Sequence, residues 1–142
     1  MKEDSMIIER LWRLAEEIAY LKTERDSLNQ FEDYQNNVRL KKAVERSLQV
    51  AIEICFDIAQ RIISIENLPM ASTYRESFLI LADAGILSPE QGQELAMMAS
   101  FRNLLVHDYV RIEDERVYAI LKRRLDDFES FAAAIADYLQ SK

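Results

Sequence analysis

The chain has 142 residues, of which 49% are hydrophobic and 30% charged, enough to build one buried core and too short for a second domain. Two glycines and two prolines argue against dinucleotide-binding, P-loop and small all-β folds, which need glycine where the backbone turns sharply or approaches a ligand. With 18 Lys and Arg against 25 Asp and Glu, the net charge is -7, so nucleic-acid binding would have to come from a local cluster of cations and would weaken with salt.

The single cysteine, Cys55, excludes an intrachain disulfide and fits a reducing compartment. The longest uncharged run, Asn67 to Tyr74, is far too short for a membrane span or a signal-peptide core. A soluble, cytoplasmic protein without membrane association is expected.

In chain order, Ile7, Leu11, Leu14, Ile18 and Leu21 step by four and three, which predicts a first helix over about Asp4 to Lys22. Thr23 to Asn37 has no clean period and reads as a connection that becomes helical partway, with Phe31 and Tyr34 to pin it down. Val44, Leu48, Ala51, Cys55, Ile58, Ile62 and Ile65 then hold one stripe along a second helix of roughly 30 residues, about 45 Å long, the spine of the domain. Asn67, Leu68 and Pro69 end it.

Thr73 and Glu76 have capping-box spacing and Gly85 sits where a left-handed stop belongs, so a short third helix covers about Tyr74 to Ala84. Ser88, Pro89 and Gln91 repeat the start signal for a fourth helix running to about His107. Val117, Leu121, Leu125, Phe128, Ala132, Ile135 and Leu139 predict one fifth helix nearly to the end. The expected architecture is a single all-α domain over residues 1–142, an antiparallel bundle of four main helices plus one short one.

His107 is the only histidine, and it lies in the segment Phe101-Arg102-Asn103-Leu104-Leu105-Val106-His107-Asp108-Tyr109. If the helix runs that far, Asn103 and His107 share a face about 40° wide, and Arg102 stands about 140° round from His107. The carboxylates show no metal-site spacing, with no paired histidines, no paired cysteines and no calcium loop, so no metal is expected.

This segment resembles the HEPN superfamily and its HepT-like toxin branch, whose signature is Arg, a polar residue, three further residues, His, any residue, then Tyr. Arg102, Asn103, His107 and Tyr109 match it in full. The likeness extends to the stretch Ala51-Ile52-Glu53-Ile54-Cys55-Phe56-Asp57-Ile58-Ala59 and to Tyr74-Arg75-Glu76-Ser77-Phe78.

The resemblance implies a homodimeric, metal-independent endoribonuclease, the toxin of a type VII-like toxin–antitoxin pair, with the motif residues of both chains facing one cleft. RNA carries its own nucleophile, so cleavage needs a base for the 2′-hydroxyl proton and cations for the crowded phosphorus. His107 suits the base, Arg102 the grip on phosphate, and Asn103 the orientation of either. A single histidine per chain leaves the departing 5′-oxygen without an acid, which a second copy of His107 would supply.

In HepT-like proteins the tyrosine equivalent to Tyr109 accepts AMP from a nucleotidyltransferase antitoxin of the MntA kind. That partner uses ATP, and the chain itself needs no cofactor. Arg39, Lys42 and Arg46, with Lys41 beside them, and Arg111 after the motif are candidates for RNA backbone contacts. Lys122, Arg123 and Arg124 form a second basic run. The competing reading is a non-catalytic helical module that docks a minimal nucleotidyltransferase and cuts nothing.

Overall fold

The computed structural model describes residues 2–107 and 112–142. Among these the regular elements are all helices: α1 (Lys2–Ser27), α2 (Phe31–Gln35), α3 (Val38–Ile65), α4 (Tyr74–Asp83), α5 (Pro89–Leu105), α6 (Asp114–Arg123) and α7 (Leu125–Ser141). The all-α antiparallel bundle read from the sequence is what forms. Helices α1, α3, α5 and α7 close a ring of four, and α4 packs against α3 and α5. Cross-links give the directions: Arg10 reaches Asp57 and Ser47 reaches Glu17 between α1 and α3, while Lys22 meets Glu129 and Lys142 meets Asp4 between α1 and α7. In each pair early residues face late ones, so neighbours run antiparallel.

The core is the sum of the periodic stripes. Ile7, Leu14 and Leu21 from α1 meet Val44, Leu48, Ile52, Cys55, Ile58 and Ile62 from α3, and Phe78, Phe101, Phe128 and Phe131 fill the other side. Each fully buried aliphatic or aromatic side chain contributes about 1.5–3 kcal/mol, against about 0–1 kcal/mol for an exposed ion pair, so these stripes hold the bundle and the surface charges are free for other work.

Helix α3 starts where the Asn37 side chain accepts the Leu40 N–H at 3.0 Å. It stops through Asn67, which takes a left-handed φ of 53° while the N–H groups of Leu68 and Asn67 donate back to the carbonyls of Ile63 and Ser64. Pro69 therefore lies beyond the stop and is not its direct cause. Gly85, at φ 79°, closes α4 in the same way, with Ile86 bonded to Leu81 and Gly85 to Ala82, as its spacing predicted.

The connection does become helical partway, as the short helix α2, capped by reciprocal bonds between Gln30 and Asp33 and anchored by the fully buried Tyr34. Two expectations are corrected. Helix α1 runs on to Ser27, beyond the expected end near Lys22. The predicted fifth helix is two, α6 and α7, broken at Arg124 with φ -119° and ψ 4°. The break lets Tyr118 of α6 pack on Phe31 and Tyr34 of α2 while Phe131 of α7 packs edge-on against Phe78 of α4. No helix among the described residues is long and apolar enough to cross a membrane.

Candidate active site

The apolar stripe of α3 leaves a second stripe facing outward: Arg39, Lys42, Arg46, Gln49, Glu53 and Phe56 alternate spacings of three and four, and all are exposed or half-buried. One line along the helix thus passes from three cations through an amide to a carboxylate and an aromatic ring. From Arg46 to Glu53 the line rises about 10 Å.

Arg102, on the last turn of α5, meets this line at its carboxylate. Its Nε and Nη2 both donate to Glu53 Oε2, at 3.1 and 2.8 Å. The guanidinium carbon lies 4.4 Å from the centre of the Tyr74 ring, and Tyr74 in turn stacks on Phe56 with centroids 3.7 Å apart and planes 6° from parallel. Burial raises the Tyr74 hydroxyl pKa; Arg102 opposes that shift and Glu53 adds to it. Gln49 Nε2 donates to the same Glu53 oxygen at 3.2 Å.

Gln49 also lines an open groove of about 1180 Å³ between α3 and the start of α6. His107, Lys41, Lys42 and Arg46 share that groove with Glu45, Glu113, Asp114 and Glu115. Its α3 wall is mainly basic and its α6 wall acidic. Burial, then the nearby Asp114, raises the Glu45 pKa, and Lys41 works against them. His107 is exposed at the groove wall.

The geometry alters part of the motif reading. Helix α5 ends at Leu105, because the last turn tightens: the His107 N–H reaches the Leu104 carbonyl at 3.4 Å instead of continuing the helical ladder. His107 thus lies past the helix, so the four-residue spacing from Asn103 no longer falls within one regular helix. Asn103 is exposed on α5 itself. Gln49 lines the groove that His107 also lines and donates to the Glu53 carboxylate that pairs with Arg102, but Arg102 itself is not among the groove-lining residues.

Of the basic candidates, Lys42 and Arg46 line the groove with His107, whereas Arg39 is exposed on the same α3 stripe outside the lining. Lys122 of the second basic run is taken by structure, its ammonium donating to the carbonyls of Arg25, in the last turn of α1, and of Leu28 just beyond it. Tyr109 and Arg111 lie outside the described residues. Glu53, Gln49, Phe56 and Tyr74 received no role from the sequence, although the spacing from Arg39 to Phe56 marks a second stripe. Among the described residues no group of three or more metal-ligating side chains comes together.

A family model described as ribonuclease HepT-like matches residues 8–135. The mRNA nuclease HepT of Shewanella oneidensis is 30% identical over 102 residues, which are 72% of this chain and 77% of that protein. The tRNA nuclease HepT of Aphanizomenon flos-aquae is 29% identical over 119 residues, 80% of this chain and 81% of that one. Among solved structures, the tri-AMPylated Shewanella oneidensis HEPN toxin in complex with MNT antitoxin superposes with a TM-score of 0.83 at 26% identity, over 92% of this chain and 96% of that chain.

Proposed function

Because the chain belongs to the ribonuclease HepT-like family, we propose that it is an endoribonuclease toxin, active as a homodimer without a metal and restrained by an MntA-type nucleotidyltransferase antitoxin. The observation that carries this reading is the groove that His107 lines together with Lys42 and Arg46, while Gln49 of that groove donates to the Glu53 that holds Arg102. An acid–base group and two cations in one groove, with a guanidinium further along the same helix line, suit a phosphodiester better than an uncharged ligand.

In the proposed reaction His107 removes the proton of the substrate 2′-hydroxyl, and the freed oxygen attacks the adjacent phosphorus. The bond to the departing 5′-oxygen breaks, leaving a 2′,3′-cyclic phosphate, and a second copy of His107 across the two-fold axis gives that oxygen its proton. Arg102 steadies the charge gathering on the phosphoryl oxygens, and Asn103 orients the imidazole or the phosphate. Lys42 and Arg46, with Arg39 and Arg111 on the approach, hold the flanking backbone.

Tyr109, two residues after His107, is the proposed acceptor of AMP. Nucleotides added there bring phosphodiester charge to the cations that RNA requires and exclude it by occupancy and repulsion together. ATP is consumed by the partner, and the chain uses no cofactor of its own. The test is incubation of the full chain, made without a nucleotidyltransferase, with RNA in EDTA. Products ending in 5′-hydroxyl and 2′,3′-cyclic phosphate are expected; RNA left whole favours a docking module that cuts nothing.

A further inference from the structure

Resting on that nuclease reading, we infer that Glu53 and Tyr74 are positioning residues that fix the Arg102 guanidinium about two axes and leave one of its edges for the scissile phosphate. A guanidinium carries five N–H donors in a rigid planar fork. Glu53 Oε2 takes the Nε donor and one Nη2 donor, both along one edge of the plane. The second Nη2 donor and one Nη1 donor make up the end edge of the fork, which has the spacing for a two-pronged grip on phosphate.

Glu53 stops rotation of the fork within its plane. Tyr74, 4.4 Å beneath the guanidinium carbon, stops tilt of the plane itself, and Phe56 backs Tyr74 through the parallel stack. Gln49 holds the Glu53 oxygen in turn. Three helices therefore converge on one arginine: α3 supplies Glu53, Gln49 and Phe56, α4 supplies Tyr74, and α5 supplies Arg102 itself. The ion pair keeps about a fifth to a third of its side-chain surface exposed, so solvent screening leaves it a weak contributor to the fold. Its geometric effect on the arginine is the larger one.

The arrangement sets opposite signs for binding and rate. Glu53 places a negative charge against the cation that meets RNA, so it weakens ground-state binding while it orders the transition-state contact. Glu53→Gln should bind a mixed-sequence 2′-O-methylated oligoribonucleotide at least as tightly as the native chain, yet cleave RNA with kcat reduced on the order of 10–10²-fold, the loss that follows from a misplaced catalytic contact. Tyr74→Leu should lower kcat similarly, and Tyr74→Phe, which keeps the ring, should restore it.

A role confined to folding would lower the melting temperature and the active fraction, without raising affinity or separating Tyr74→Phe from Tyr74→Leu. The Arg102 Nε–H resonance gives a readout apart from turnover: ordered in the native chain, exchange-broadened in Glu53→Gln. Native-like kcat in both Glu53→Gln and Tyr74→Leu, with native cleavage intact, overturns the positioning role alone. Native protein that leaves RNA whole overturns the nuclease assignment, and the role with it.

Discussion

The Lys41 ammonium donates to the Asp114 carboxylate across 3.1 Å and fastens the first turn of α6 to the first turn of α3. Both side chains line the groove and are about three-quarters buried. The pair ties together the two walls between which His107 lies. A double-mutant cycle of Lys41→Met and Asp114→Asn should give a coupling energy of about 1 kcal/mol, the upper end for partly screened pairs. Additive effects in chemical denaturation would mean that the walls are held by other contacts.

Gly92 sets the distance between α4 and α5, and so between Tyr74 and Arg102. A Cβ at this position would sit 2.7 Å from the Ala82 Cβ and 3.4 Å from the Phe78 carbonyl oxygen. Neither neighbour is a flexible side-chain end that could swing aside. Gly92→Ala should therefore destabilise the fold by about 1–3 kcal/mol despite the higher helix propensity of alanine. Thermal unfolding measures it directly, and an unchanged or raised melting temperature would refute the close approach.

Asp127 is buried at the start of α7 beside Glu94, and burial first, then Glu94, raises its pKa to about 6, with Arg124 opposing. An unfolded aspartate holds its proton only below about 3.9, so between these values the folded state binds more protons than the unfolded one. Stability attributable to this group is complete below about 3.9 and is lost as pH rises through about 6. Asp127→Asn removes that dependence. The melting temperature of Asp127→Asn relative to the native chain should rise between pH 4 and pH 7, whereas a difference that does not vary with pH contradicts this account.

If Tyr109 is the AMP acceptor, Tyr109→Phe should take up no label from radioactive ATP in the presence of the nucleotidyltransferase partner. The same variant should cleave RNA like the native chain and stay active after the partner is added. Labelling that persists in Tyr109→Phe would move the acceptor elsewhere.

The stripes that build the core were legible because burial imposes a period on the order of apolar residues: Ile7 to Leu21, Val44 to Ile65 and the Thr73, Ser88 and Gly85 signals all lie where local chemistry decides the conformation. The break at Arg124 was not, since Val117, Leu121, Leu125 and Phe128 keep one helical period straight through it. Tertiary demand makes that break, with Tyr118 and Phe131 needed in different places. In the site, Arg102 and His107 stood out by residue type and spacing. Glu53 and Tyr74 did not, because their meaning comes from contact with Arg102 across 49 residues for one and from a separate helix for the other.

In the proposed reaction Arg102 and His107 together break RNA. Its most direct measurement is kcat/KM for RNA cleavage in EDTA by the native chain and by Arg102→Ala and His107→Ala, each confirmed as folded by its thermal transition. Each substitution should lower the value about 10²–10⁴-fold, as expected for loss of a charge-stabilising or proton-transferring group. Cleavage that persists undiminished in both variants would assign the reaction to other residues.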